Sequence, residues 1–238
     1  MLPIKVEDLF RRLSYGPLSN LSLAKEGAGE IKEESQGKIV DYINDGLLRL
    51  YSRFLLKEAQ LILQTIEGLT RYELAPKYGQ AAHLADEDLD TPVYILDALE
   101  PFQSDLIKVL EVFDTEGRRV HLNNAEEPSS VFTPRPSLLQ VPYSVNVMAL
   151  SLIYQAKHVK LEYDEPEAEI LLPDCLHSAL LAYVASEVFS HMNGPENSAK
   201  GQEHLAKFDR LCNEALENDL VSTSTSTTNS NFEKRGWI

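Results

Sequence analysis

The chain has few of the residues and runs that mark a secreted, disulfide-held or membrane-spanning protein. Its 238 residues include two cysteines, Cys175 and Cys212, far apart and in no CxxC arrangement. That usage argues against a disulfide scaffold and suits a reducing compartment; both fall in stretches that read as helical, where buried small hydrophobes are expected. No window approaches eighteen apolar residues, so no membrane span is expected. The opening MLPIKVEDLF lacks a basic region followed by an apolar core and a small-residue cleavage site, so no secretory signal is expected either. Cations are scarce. Lys and Arg number 22 against 37 Asp and Glu, a net charge of -15, which disfavours coating nucleic acid or an anionic membrane. There is one tryptophan, at position 237.

Catalytic motifs are missing as well. None of His83, His121, His158, His177, His191 and His204 lies in HExxH or beside GxSxG. There is no Walker A sequence and no GxGxxG. His177 and His191 stand fourteen residues apart on nearly the same helical face, and structural roles are expected for them. The acidic runs DEDLD (86–90) and EYDEPEAE (162–169) lack the spacing and turn glycine of an EF-hand loop and read as solvated loops. No catalytic, metal or cofactor residues are assigned, and no enzymatic activity is expected.

What is present is amphipathic pattern. KVEDLFRRLS (5–14) reads as a short helix, and residues 25–37 as a polar loop. In residues 38–57, Ile39, Ile43, Leu47, Leu50 and Phe54 recur at spacings of four, four, three and four, one face of a helix. Gly46 inside that helix points to close approach by another element. The period then changes to two. Residues 57–74 alternate through Ala59, Leu61, Leu63 and Thr65 and turn at 66–68, a hairpin pattern that 105–123 repeats around a turn at 114–117. Strands are expected at 137–143, 147–155 and 158–163, with irregular chain over 75–104.

Helical spacing returns at the end. Leu176, Leu180, Tyr183, Val184 and Val188 define a helix over 174–193, which Asn193-Gly194 stops. Pro195 opens another over 195–218, with Leu205, Phe208, Leu211, Cys212 and Ala215 on one stripe. The expected class is α+β: a small helical bundle from both ends of the chain (1–57 and 164–219), a central β-rich insertion (58–163) and an extended C-terminal tail (220–238).

Three stretches in this order, IVDYINDGLLRLYSRF (39–54), LLQVPYSVNVMALSLIYQAKHVKL (138–161) and ALLAYVASEVFSHMNGPENSAKGQEHLAKFDRLC (179–212), resemble a known family when taken with the ending FEKRGWI. They are similar to the head-to-tail adaptor proteins of short-tailed bacteriophages, also called head-tail connector or tail tubular A-like proteins. The resemblance implies a structural virion protein at the head-tail junction, present in the host cytoplasm during assembly. It implies a ring of twelve copies beneath the portal protein, with β regions towards the tail nozzle and tail fibre proteins as further partners. DNA would pass through the centre without sequence-specific binding. The family carries no shared catalytic residues.

The ending is the one segment assigned a partner-binding role. Ten Ser, Thr and Asn residues (222–231) precede Phe232, Lys234, Arg235, Trp237 and Ile238. Such a run cannot bury enough apolar surface to fold by itself. Burying Phe232, Trp237 and Ile238 would remove about 500 Å² from water, worth about 12 kcal/mol, against about 7–14 kcal/mol for ordering seven residues. The terms nearly cancel, so the tail is expected to be disordered on a free monomer and anchored by a neighbouring subunit or a portal. Two rival readings remain at this stage: a cell-wall glycan hydrolase using a carboxylate pair, and a host-directed binding module whose β insertion captures a partner.

Overall fold

The computed structural model describes residues 4–19, 21, 30–86, 90–97, 100–142 and 148–221. The tail anchors Phe232, Lys234, Arg235, Trp237 and Ile238 therefore lie outside the described residues, as do positions 87–89 of the DEDLD run. In chain order the elements are β1 (Ile4–Lys5), α1 (Val6–Tyr15), α2 (Glu33–Arg53), β2 (Glu58–Gln64), β3 (Arg71–Glu73), a 3-10 turn (Pro76–Tyr78), α3 (Gln80–Ala85), β4 (Leu106–Phe113), β5 (Arg119–Val120), β6 (Phe132–Arg135), β7 (Leu138–Gln140), β8 (Ala149–Ala156), β9 (Glu169–Ile170), α4 (Asp174–Ser190) and α5 (Pro195–Glu217). The class is α+β. Two compact units form, residues 1–56 with 158–238, and residues 57–157.

The helical unit is organised around α4. Its eleven buried residues lie on every side, as a helix enclosed by others requires, and α1, α2 and α5 all pack on it. From α2 the predicted stripe Ile39, Ile43, Leu47, Leu50 and Phe54 is buried, each residue at most 3% exposed. Gly46 lets α4 approach: a Cβ there would lie 2.7 Å from Leu180 Cδ1 and 2.8 Å from Tyr183 Cδ1. α5 approaches at Gly201, where a Cβ would meet Ser190 Oγ at 2.5 Å and the Ser186 carbonyl oxygen at 3.2 Å. That contact turns α5 so that Gly201, Phe208, Cys212 and Ala215 face inward. Leu205, expected on the stripe, is 38% exposed as a result, and Leu211 is only half-buried.

Three expectations fail here. α2 begins at Glu33, five residues before the expected start at 38, because a first turn carrying Glu33 and Glu34 suits the helix dipole without contributing apolar residues. It also stops at Arg53: Phe54 is extended while its N–H still donates to the Leu50 carbonyl. Residues 158–163 form no strand. Asn44 of α2 occupies the backbone there, accepting from Leu161 N–H at 2.9 Å and donating to Leu161 O at 3.0 Å. One side chain thus takes the place of a strand partner. The run 162–169 is solvent-exposed apart from Ala168, and it also has a structural task. The carbonyls of Pro166 and Ala168 accept from the N–H groups of Glu7 and Val6, 3.1 Å each, serving the start of α1, where Lys5 provides no side-chain cap.

The β unit holds two sheets, β2-β8-β4-β5 and β3-β7-β6, over one apolar core. β8 is central. Leu150 and Leu152 face Leu63 and Leu61 across the antiparallel ladder, and Leu152 also faces Val112 of β4. The hairpin expected over 57–74 is absent. The chain does turn at Gly68 (φ +78°), but β2 pairs with β8 along seven residues while β3 pairs with β7 in the other sheet. Alternation had marked which face is buried; it carries no information about the partner. Tyr72, fully buried, holds the corner: its hydroxyl accepts from Ile66 N–H at 2.9 Å and lies 2.8 Å from the Leu69 carbonyl to which it donates. The second hairpin, β4–β5, forms as predicted around Asp114–Gly117. Short structure also appears within 75–104, where buried Asp97 accepts from Ala81 N–H at 2.9 Å and Phe102 N–H at 3.0 Å.

Candidate functional site

Two helices packed on one central helix leave a shallow, open depression between them. α2 contributes Leu48, Arg49, Ser52 and Arg53; α5 contributes Phe208 and Asp209; the depression measures about 490 Å³. Below it the Arg49 guanidinium lies 5.0 Å from the Tyr183 ring centre, and the Tyr183 ring meets Phe208 at 5.4 Å and 60°. Arg53 crosses from α2 to α5, donating to Asp209 Oδ1 at 3.0 Å and to Asn213 Oδ1 at 2.7 Å. Leu48, 46% exposed, forms an apolar rim.

The depression therefore offers the exposed side chain of Leu48 and two guanidinium groups above buried Tyr183 and Phe208, on a chain whose net charge is -15. Among the described residues Arg49 pairs with no carboxylate; its stacking on Tyr183 leaves N–H groups for an incoming acceptor. Such a surface suits an apolar group that ends in an anion. Sequence reasoning missed it. Leu48 falls outside the α2 stripe, and its only signal was a leucine on the solvent side beside arginines at i+1 and i+5.

Three of the histidines have structural partners. Buried His177 lies 3.1 Å through Nε2 from the Leu172 carbonyl, and burial holds it below its ordinary pKa. His191, exposed, bonds the Glu187 carbonyl at 2.8 Å. Fourteen residues of helix, about 21 Å of rise, separate them, so they form no common site. His204 stacks on Phe189 at 5.5 Å. Cys212 is buried, and desolvation pushes its thiol up to about 11. Cys175 is only half-buried, unlike the buried cysteine expected. Among the described residues no group of three or more His, Cys, Asp and Glu side chains is placed to hold a metal ion, and no helix is long and apolar enough to cross a membrane.

No curated protein matches the chain. A family model does, the SU10 adaptor protein, over residues 18–231, which takes in α2, the whole β unit, α4 and α5. A match across so much of the sequence is decisive: this chain belongs to the SU10 adaptor protein family.

Proposed function

We propose that this phage structural adaptor protein forms a ring, of twelve copies by resemblance, between the portal and the tail, and lines part of the conduit through which DNA is packaged and ejected. The observation that carries this reading is the family match over residues 18–231. In the virion the ring sits at the head-tail junction, and its subunits await assembly in the host cytoplasm. Its partners are copies of itself, the portal protein, the tail nozzle and tail fibre proteins. The helical bundle is the ring-forming body, the β-rich insertion faces the tail, and residues 220–238 extend from the body. The protein works by contact and performs no catalysis.

Charge supports the conduit. A net charge of -15 disfavours binding to phosphate, which fits a conduit through which DNA moves rather than sticks. Phe232, Lys234, Arg235, Trp237 and Ile238 anchor each subunit to a neighbour or to the portal. Their ten-residue tether averages roughly 17 Å and stretches to about 33 Å.

Analytical ultracentrifugation of the protein, alone and with the portal ring of the same genome, tests the reading. A small species that shifts onto the portal at fixed high stoichiometry is expected. A monomer that ignores the portal would sink the adaptor role. Truncation after Val221 should weaken that association while leaving the melting temperature unchanged; undiminished association would remove the tail from the account.

A further inference from the structure

We propose that two copies of the chain pair through the outer face of the four-stranded sheet, with β2 of one copy over β4 of the other about a two-fold axis that runs along β8. A two-fold contact closes on itself and builds no ring. The pair is therefore a form of the free chain, beyond the adaptor reading and independent of it.

The inner face of this sheet sends Leu61, Leu63, Val112, Leu150, Leu152 and Tyr154 into the core. Side chains alternate along a strand, so the outer face of such an antiparallel sheet is normally polar. Here β4 breaks the rule. Its register against β8 shifts between Leu106 and Lys108, and again between Val109 and Glu111. Each shift inserts one residue, so Leu106, Val109 and Val112 serve the core at a spacing of three while Ile107 and Leu110 fall on the outer side. Phe113, Ile153 and Ile62 share that side. Ile62 is 39% exposed, and the other four are half-buried. Polar contacts mark the same face: Gln60 Nε2 donates to Ser151 Oγ at 2.7 Å, and Arg119 pairs with Glu111 at 3.2 Å.

A second copy is the occupant that matches this face. The ladder sets three rows across β2, β8 and β4: Glu58, Gln155 and Lys108; Gln60, Ile153 and Glu111; Ile62, Ser151 and Phe113. A two-fold axis along β8 exchanges the two ends of every row. Glu58 of one copy then meets Lys108 of the other, Ile62 meets Phe113, and Ile153 meets its own equivalent. In the first row Gln155 is buried, while Glu58 and Lys108 on either side of it are exposed and form no ion pair among the described residues. An axis across the strands would instead set Glu58 on Ile62 and Lys108 on Phe113, so the charges select the axis along β8. Three strands about 4.8 Å apart and seven residues long leave a footprint of about 340 Å². That is well under the ~800 Å² per partner of a standard stable interface, and it fits a reversible pair rather than a permanent dimer.

Sedimentation velocity of the full-length chain, from about 5 µM to about 500 µM, brackets micromolar affinities. Salt at about 0.15 M, with a Debye length of about 8 Å, screens the repulsion between two chains of net charge -15. The weight-average sedimentation coefficient is expected to rise with concentration towards that of a dimer. Glu58→Lys and Lys108→Glu, both at exposed positions, should each weaken the pairing about tenfold or more without moving the melting temperature. An equimolar mixture of those two chains regains both ion pairs across the axis and should associate like the unaltered chain. Ile62→Glu should abolish association. A coefficient flat over the whole range would overturn the proposal, as would association that survives Ile62→Glu or a mixture that stays monomeric. Portal binding should persist in all three variants; its loss would assign this face to the assembled ring and overturn the pair as a separate form.

Discussion

The helical unit and the β unit are held by different kinds of information. Each helix satisfies its own backbone, so an apolar stripe needs only a complementary surface. Ile39, Ile43, Leu47, Leu50 and Phe54 find that surface on α4. Each strand needs a particular partner, and the partner of β2 lies about ninety residues away in β8. A unit built from local periods tolerates a shifted boundary, such as the early start of α2. A unit built from long-range ladders depends on register, because a slip of one residue turns Leu61 and Leu63 outward.

The sharpest way to break the comparison is a charge on the helical stripe. Leu47→Asp places an unpaired carboxylate at a site 1% exposed and should cost about 4 kcal/mol or more. Circular dichroism at 222 nm should show helix loss at a much lower temperature; an unmoved transition would mean that the α2 face is misassigned. Next comes Leu152→Ala at the centre of β8, expected to cost about 2–5 kcal/mol. If the unit depends on its ladder, amide exchange should speed up in β2 and β4 together, and acceleration confined to β8 would contradict that. Tyr72→Phe is milder. It removes the hydroxyl bonded to Ile66 N–H and the Leu69 carbonyl and should cost about 1–3 kcal/mol, read as a lower urea midpoint.

The smallest effect belongs to Asp114. Backbone N–H groups, Arg118 first, hold its carboxyl below the ordinary value. A depressed carboxyl contributes stability above the pKa of the unfolded chain, and that contribution is lost as pH falls through the lower folded value. Asp114→Ala should therefore flatten the acid limb of the stability profile and leave neutral stability slightly reduced. A steeper acid limb would be the wrong sign.

Much of the fold was legible because its causes are local. The α2 stripe was readable from spacing, Gly46 from the cost of an unexplained glycine, and the β4–β5 hairpin from the turn residues Asp114 and Gly117. What stayed hidden depends on partners distant in sequence. Nothing in Leu61 or Leu63 names β8, and nothing in residues 158–163 says that Asn44 will occupy their backbone. Leu205 looked buried until the Gly201 contact set the rotation of α5. The depression between α2 and α5 was less legible still, since Leu48 and Phe208 lie 160 positions apart and meet only because both helices pack on α4.

The ladder between β2 and β8 has one further consequence, for evolution. Glu58 pairs with Gln155, and Ala156 N–H donates to the Lys57 carbonyl at 3.0 Å. The β unit therefore begins and ends at the same place, its two ends about 5 Å apart as in any paired antiparallel strands. A segment whose ends nearly touch can be exchanged, enlarged or lost while the chain on either side still closes. Residues 57–157 thus have the chain geometry of a segment that can be exchanged as one piece.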